Sequence, residues 1–382
     1  MKPAERTSSI AESIFATMTR LAFEHKAVNL GQGFPDFDGP QWIVDDALAA
    51  MRDGRNQYAP MPGVLSLREA IASYQHTWHG QDWDPESEIT VTAGATEALF
   101  SSMLAFLDPG DEVLLFEPFY DSYQANVLLA GAVPVYVTLH RPDFTFDPSE
   151  LAARISVRTR MIIINTPHNP TGKVFSREEL AVIAELAQRH NLLVLSDEVY
   201  EFLLYDDAVH VPIATLPGMR ERTISISSTG KTFGMTGWKI GFSMAAPALT
   251  RAIRTVHQFV TFAVNTPAQH AMSRALLRLD SYLPDFRATY THKRDVLCAG
   301  LADTPFRPHL PRGSYFVMAD LPSSTEEDDI ACATRLVRIA GVAVIPPSVF
   351  YASSSEGASM LRFCFAKKDE TIRAGLARLR EE

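Results

Sequence analysis

The chain has 382 residues, which at about 150 residues per domain makes two or three domains with substantial cores. With 46% hydrophobic and 21% charged residues its composition is ordinarily globular, which excludes disorder as the main state. Lys and Arg total 35 against 45 Asp and Glu, a formal net charge of -10, so a polyanion meets a repulsive mean field and nucleic acid is not expected as a partner.

Residues 1–26 carry Glu5, Glu12 and Glu24 and lack the unbroken apolar stretch of a signal peptide. No run approaches the ~18 apolar residues that cross a bilayer, so no membrane partner is expected. The three cysteines, Cys298, Cys332 and Cys364, are widely spaced and form no CxxC pair, which fits reduced thiols and offers no metal knuckle. A soluble cytoplasmic protein without a metal site is the expectation.

In chain order, short β-branched apolar runs recur at 88–92 (EITVT), 112–116 (EVLLF), 133–139 (VPVYVTL), 161–165 (MIIIN), 192–196 (LLVLS), 223–227 (TISIS) and 238–244 (WKIGFSM), and each reads as a strand. Residues 95–107 and 177–190 read as helices between them, the second opened by Ser176 and Glu179 as a capping box. This alternation predicts an α/β fold, a mostly parallel sheet with helices on both faces. The polar stretch 322–329 comes nearest to a linker. Beyond about residue 275 the pattern changes to a long helix, a strand at 315–320, a helix at 328–340 and a strand at 360–365, which reads as a smaller α+β domain.

Open α/β sheets bind ligands beyond the carboxyl ends of their strands, and the polar groups there are specific. Gly94-Ala95-Thr96 opens a helix after the first strand, which suits either a phosphate or a plain turn. Asn169-Pro-Thr-Gly follows the fourth strand and, taken alone, reads as a turn. Asp197 ends the fifth strand as a buried carboxylate, whose partner is either a structural cation or a ligand. After the sixth, Gly-Lys-Thr at 230–232 resembles the end of a P-loop, but Ser225 stands where its first glycine is required. Ser228 and Lys231 match an SxxK acyl-enzyme motif without its partner elements. The third reading makes Lys231 a Schiff-base lysine beside a phosphate site that includes Ser228 and Lys239.

With these segments together, the chain resembles the fold-type I pyridoxal-phosphate aminotransferases of class I/II, and within them the branch of kynurenine aminotransferase, glutamine transaminase K and bacterial methionine aminotransferase. The resemblance rests on NLGQGFPDF (29–37), NQY (56–58), TAGATEAL (92–99), EPFYDSY (117–123), NTPHNPTGKVFS (165–176), SDEVY (196–200), SSTGKTFGMTGWKIG (227–241) and LRFCFAK (361–367), in family order along almost the whole chain.

The resemblance implies pyridoxal 5'-phosphate as cofactor and gives each matched residue a task. Lys231 links to the cofactor and then moves the substrate proton, which requires an amine neutral when it acts. Asp197 pairs with the pyridine nitrogen, and Tyr200 and Asn169 bond the phenolic oxygen. Gly94, Ala95, Thr96, Ser228 and Lys239 bind the phosphate, joined by Tyr58 from a neighbouring subunit. Lys239 places a point charge where many relatives have the fork of an arginine. Tyr120 stacks on the cofactor ring, whereas Phe119 and Tyr123 are assigned to core packing. Arg362 grips the substrate carboxylate, with Asn169 and the backbone of Gly33 near it, and Phe15 aligns with a pocket tryptophan of the kynurenine enzymes.

The resemblance further implies a homodimer and three segments: 1–40 joining the small domain, 41–275 as the large cofactor-binding domain and 276–382 as the small domain. Stretch 257–267 contains no Arg or Lys, which predicts an apolar side-chain pocket, and Ala263 stands where glutamine transaminase K has histidine. Phe15 and Phe262 are either pocket lining or core. The expected reaction is a ping-pong transfer from an apolar or thioether L-amino acid, methionine first and aromatic amino acids, glutamine or kynurenine next, to a 2-oxo acid. A carbon-sulfur β-lyase uses the same lysine and stays open. A cofactor-binding regulator on this fold needs a helix-turn-helix domain, for which the residues ahead of Asn29 are too few.

Overall fold

In the computed structural model, which describes residues 4–8, 10 and 12–381, all seven apolar runs join one sheet. They are β2 (Ile89–Ala93), β3 (Glu112–Glu117), β4 (Val133–Thr138), β5 (Thr159–Asn165), β6 (Leu193–Asp197), β7 (Thr223–Ser228) and β8 (Ile240–Ala245), following a short β1 (Val28–Asn29). The order is β2-β8-β7-β6-β5-β3-β4, with β8 antiparallel to both neighbours and the other pairs parallel.

Side chains alternate across a strand, and the two faces of the sheet have separate cores. Leu114, Ile162, Ile164 and Val194 pack on one face with Leu180, Ile183 and Ala187 of a covering helix. Val113, Leu115, Met161, Ile163 and Leu195 pack on the other with Ala98, Leu99 and Met103. The helices concerned are, in chain order, α1 (Ile14–Glu24), α2 (Gly94–Phe106), α3 (Asp121–Leu129), α4 (Arg177–Arg189), α5 (Pro247–Val260), α6 (Leu279–Ala302) and α7 (Asp369–Leu379). The predicted capping box of α4 is present: Glu179 N–H donates to Ser176 Oγ over 3.2 Å, and Ser176 N–H to Glu179 Oε2 over 2.9 Å.

Most element boundaries shift by one or two residues from the sequence reading, and four of the differences bear on the site or on the C-terminal region. Helix α2 starts at Gly94, so Gly94, Ala95 and Thr96 are its first turn. The run predicted at 238–244 starts at Ile240, because Thr236–Trp238 forms a tight turn and Lys239 takes the left-handed conformation, φ 55°. Strand β10 (Phe316–Asp320) starts one residue late, after Ser314 at φ 58°. The helix predicted at 328–340 is α-helical over Asp329–Arg335 and widens to a π turn over Leu336–Ala340.

Beyond the sheet, β9 (Arg307–Pro308), β10 and β12 (Met360–Cys364) form a three-stranded antiparallel sheet. β1 pairs in parallel with β11 (Val342–Ala343). Residues 28–29 are thereby bonded to the C-terminal region; the outermost residues of segments 1–40 and 276–382 lie outside the described ones. Cys298, Cys332 and Cys364 are buried and form no disulfide among the described residues. No helix of the described residues is long and apolar enough to cross a membrane.

Candidate active site

Asn165, Asp197 and Ser228 end strands β5, β6 and β7, and with the first turn of α2 they line one cavity of about 350 Å³. Gly94, Ala95, Thr96, Tyr120, Asn169, Asp197, Tyr200, Ser228, Lys231, Lys239, Gly33, Phe15 and Arg362 all border it. Of the predicted site residues only Tyr58 does not.

One end of the cavity is built for an anion. Gly94 takes φ +71°, and a Cβ there would lie 3.1 Å from Lys239 Nζ. Glycine therefore lets the cation reach the helix start, where unpaired N–H groups concentrate positive potential. Lys239 Nζ donates to Thr96 Oγ1 over 3.0 Å, and loss of hydration lowers its pKa. A Cβ at Gly241 would meet the Gly94 carbonyl carbon at 2.3 Å, so β8 supports this turn closely because that position is glycine. Glu97, in the same turn, accepts from Ala93 N–H and pairs with buried His257. The other ring nitrogen of His257 bonds Met61 O over 2.9 Å. Burial pulls the His257 pKa down, but the bond and charge of Glu97 outweigh it and the net shift is upward.

At the floor, Tyr123 Oη donates to Asp197 Oδ2 over 2.6 Å and Val199 N–H to Oδ1 over 3.3 Å. Burial raises the Asp197 pKa to about 6, with Tyr123, Val199 and Lys231 pulling the other way. No cation of the described residues forms an ion pair with this carboxylate, which removes the structural-cation reading and leaves a ligand cation as its complement. Asn165 Nδ2 donates to Asp197 O over 2.9 Å and Asn165 Oδ1 accepts from Asn169 N–H over 2.7 Å. The Asn-Pro-Thr-Gly segment therefore does more than turn the chain: it aims Asn169 into the cavity. Tyr200 is buried, which pushes its hydroxyl pKa up, and Tyr120 N-caps α3 at the cavity wall with a pKa raised by burial to about 12.

Lys231 sits in the single turn after β7. Loss of hydration lowers its pKa to about 8, against the opposing pull of Cys364 and Asp197. Its Nζ bonds Tyr315 Oη over 2.8 Å and Gly33 O over 3.4 Å. A Cβ at Gly33 would come within 2.9 Å of Phe316 Cζ, so the loop passes there only as glycine.

Arg362 lies on β12 opposite Met318 and is 1% exposed. Its Nη1 donates to Asn169 Oδ1 over 3.0 Å and its Nη2 to Gly31 O over 2.8 Å, while Nε has no partner among the described residues. Rings of Phe316, Phe15 and Phe350 stand 4.2, 5.0 and 5.5 Å from its guanidinium carbon. Burial lowers its pKa to about 10. A desolvated cation with a free N–H is suited to a carboxylate.

Some positions correct the sequence reading. Tyr123 was assigned to the core; it is buried, yet one turn into α3 its hydroxyl reaches Asp197, so it belongs to the site. Phe119 is core, stacked on Tyr136 at 5.5 Å. Phe262 does not line this cavity but packs edge-on against Tyr58, ring centroids 5.5 Å apart, and Tyr58 is 84% exposed. Asn165, Val199, Tyr315 and Phe316 were not singled out as site residues. Asn165 was findable as the last residue of a strand, but Tyr315 and Phe316 carry no signal that separates them from core aromatics.

The aminotransferase class I and II family matches residues 25–379. The chain belongs to that family. Methionine aminotransferase of Escherichia coli is 41% identical to this aminotransferase, over 99% of this chain and 98% of the relative. Kynurenine–oxoglutarate transaminase 3 of Mus musculus is 40% identical, over 98% and 88%. The solved structure of N-succinyldiaminopimelate aminotransferase from Mycobacterium tuberculosis superposes with a TM-score of 0.96 at 42% identity, covering all of both chains. The aminotransferase uses pyridoxal phosphate, and the cavity fits that group on its own chemistry: an anion cradle at one end, an unpaired buried carboxylate for a ring cation, and an amine of lowered pKa between them.

Proposed function

We propose that this aminotransferase moves the amino group of an apolar or thioether L-amino acid, methionine first and aromatic side chains next, to a 2-oxo acid by a ping-pong exchange, as a cytoplasmic homodimer. The observation that carries the substrate class is the setting of Arg362: a buried, partly unpaired guanidinium enclosed by Phe15, Phe316 and Phe350. A substrate carboxylate finds its cation there, and Phe15, Phe34 and Phe316 line the cavity beside it. His257, a titratable group of the 257–267 stretch, is paired with Glu97 and bonded to Met61 and does not line the cavity.

Pyridoxal phosphate, when bound, supplies the electron sink that acidifies the substrate α-carbon. The first turn of α2, Ser228 and Lys239 would hold its phosphate, Tyr120 would pack on its ring, and Asn169 and Tyr200 would hydrogen-bond its phenolic oxygen. Asp197 would keep a proton on the ring nitrogen, with Tyr123 holding the carboxylate in place. Arg362 and the Gly33 loop fix the substrate carboxylate, which sets the α-proton toward Lys231. With a pKa near 8, Lys231 has a substantial neutral fraction at neutral to mildly alkaline pH and can take that proton at Nζ and return it.

The dimer is supported by a surface where Tyr58, Phe259, Val260 and Phe262 are 84, 85, 46 and 47% exposed. A second copy is the surface suited to cover this apolar patch, Tyr58 included. The β1–β11 pairing supports a small domain drawn from 1–40 and 276–382 beside a large domain at 41–275.

The test is a panel of L-amino acids (methionine, phenylalanine, kynurenine, glutamine, aspartate, N-succinyldiaminopimelate and a cysteine S-conjugate) offered to the cofactor-loaded enzyme. Absorbance reports conversion to the pyridoxamine form, and pyruvate release reports elimination. Methionine is expected to convert fastest without pyruvate; aspartate or the succinylated substrate leading would overturn the apolar pocket, and dominant pyruvate release would make the enzyme a β-lyase.

A further inference from the structure

Among the described residues the amine of Lys231 has two hydrogen-bond partners, and both accept. Tyr315 Oη lies 2.8 Å from Nζ and Gly33 O lies 3.4 Å away. The Tyr315 hydroxyl donates its own proton to Gly33 O, so toward the lysine it offers only a lone pair. A neutral amine has two N–H groups and one lone pair. With both N–H groups engaged by these two oxygens, the lone pair is the position of the amine that stays free.

Tyr315 is itself held rigidly. It is 1% exposed, its carbonyl accepts from Phe365 N–H over 3.0 Å, and its ring packs between Tyr200 at 5.1 Å and Tyr290 at 6.3 Å. Ser314 before it is anchored through N–H to Leu203 O over 3.0 Å. The hydroxyl therefore keeps a fixed place between the loop that carries Gly33 and the reactive amine.

We propose that Tyr315 is a positioning residue that aims the free amine of Lys231 for attack on the cofactor. The inference rests on the reading of Lys231 as the cofactor-linking lysine. In that step the amine nitrogen bonds to the aldehyde carbon of pyridoxal phosphate and one water leaves. Tyr315 takes no part in bond making; it lowers the number of orientations the amine must search.

The test follows attachment in the cofactor-free full chain. Wild type, Tyr315→Phe and Tyr205→Phe are mixed with increasing pyridoxal phosphate at a pH where the amine is neutral, reduced with borohydride at intervals, and digested to locate and count the modified lysine by mass spectrometry. Tyr205 is the control because its buried hydroxyl bonds Ser314 O over 2.6 Å and does not touch Lys231. In Tyr315→Phe the saturating rate at Lys231 is expected to fall about tenfold, as for loss of one good hydrogen bond, with the half-saturating cofactor concentration unchanged. Should Tyr315→Phe fail to fold, 4-aminophenylalanine at 315 keeps the ring and a donor to Gly33 O but has a delocalised lone pair that accepts poorly, and a smaller fall of the same kind is expected. An unchanged saturating rate at Lys231, or an equal fall in Tyr205→Phe, overturns the role of Tyr315. Modification of a different lysine in all proteins overturns the reading of Lys231 instead.

Discussion

The hydroxyl of Tyr123 donates to Oδ2 of Asp197 across 2.6 Å, and no cation of the described residues forms an ion pair with the carboxylate. Burial raises the pKa of this acid to about 6, and the Tyr123 hydroxyl is the foremost of the groups that pull the other way, ahead of Val199 N–H and Lys231. Tyr123→Phe removes that donor at almost constant volume. Proton transfer from methionine is expected to slow by about tenfold, since one hydrogen bond to a charged group contributes about 1.5–3 kcal/mol. Stopped-flow half-reactions measure this, and a rate within twofold of wild type would remove Tyr123 from the site.

The same carboxylate predicts a pH effect on the cofactor-free chain. The folded pKa of about 6 lies above the ordinary 3.8, so the native state binds the proton more tightly than the unfolded one. The Asp197 contribution is therefore most favourable below pH 4 and is lost as pH rises through 6. Asp197→Asn should stabilise the cofactor-free protein at pH 7 by about 2–3 kcal/mol, two pKa units at 1.36 kcal/mol each. The variant should also bind pyridoxal phosphate more weakly. Denaturant unfolding at pH 5 and pH 7 checks the sign: the gain should be larger at pH 7.

Gly94→Ala places a methyl group in a left-handed conformation and 3.1 Å from Lys239 Nζ. Backbone strain of about 1 kcal/mol or more and displacement of the cation both act on the phosphate cradle. Cofactor affinity is expected to drop by ten- to a hundredfold, while the substrate dependence of the saturated enzyme changes little. Equilibrium titration with pyridoxal phosphate decides it.

Much of this site was legible because parallel strands buried on both faces are unbroken β-branched runs, and the residues just past them face the ligand side of the sheet. Asp197, Ser228 and the Gly94 turn follow from that rule. Asn169 was legible only through the family resemblance, since its local sequence also makes an ordinary turn. Tyr123 and Tyr315 were not legible as site residues, because an aromatic side chain that fills a core and one that also presents a hydroxyl have the same sequence signature. The Lys231–Tyr315–Gly33 contact joins residues 84 and 198 positions from Lys231, a convergence that local patterns do not encode. Tyr58 marks the opposite case: the motif was plain, but its expected place is in a second copy.

Arg362→Lys keeps the charge and loses the fork that meets Asn169, Gly31 and a carboxylate together. kcat/KM for methionine is expected to fall by about 10²-fold or more, with cofactor affinity unchanged. If cofactor affinity collapsed and amino-acid kinetics held, Arg362 would belong to the phosphate site.

Selectivity follows from the phenyl walls. Methionine gains about 1.5–3 kcal/mol from burying its side chain, whereas a second carboxylate loses hydration at a cost of several kcal/mol with no partner. Methionine should exceed aspartate in kcat/KM by about 10³ or more, since 1.4 kcal/mol is a factor of ten. Steady-state rates with a common 2-oxo acid measure the ratio, and comparable rates would mean that a cation from elsewhere enters the pocket.

The most direct test of the whole account is the methionine half-reaction of Lys231→Ala loaded with pyridoxal phosphate. The cradle of Gly94, Thr96, Ser228 and Lys239 remains, so the variant should still bind the cofactor, but borohydride should fix none of it to the protein. α-Proton transfer should be slower than wild type by about 10⁴-fold, the upper range for loss of a positioned base. A near wild-type rate, or cofactor fixed by borohydride to another lysine, would contradict the assignment of Lys231 and with it the mechanism.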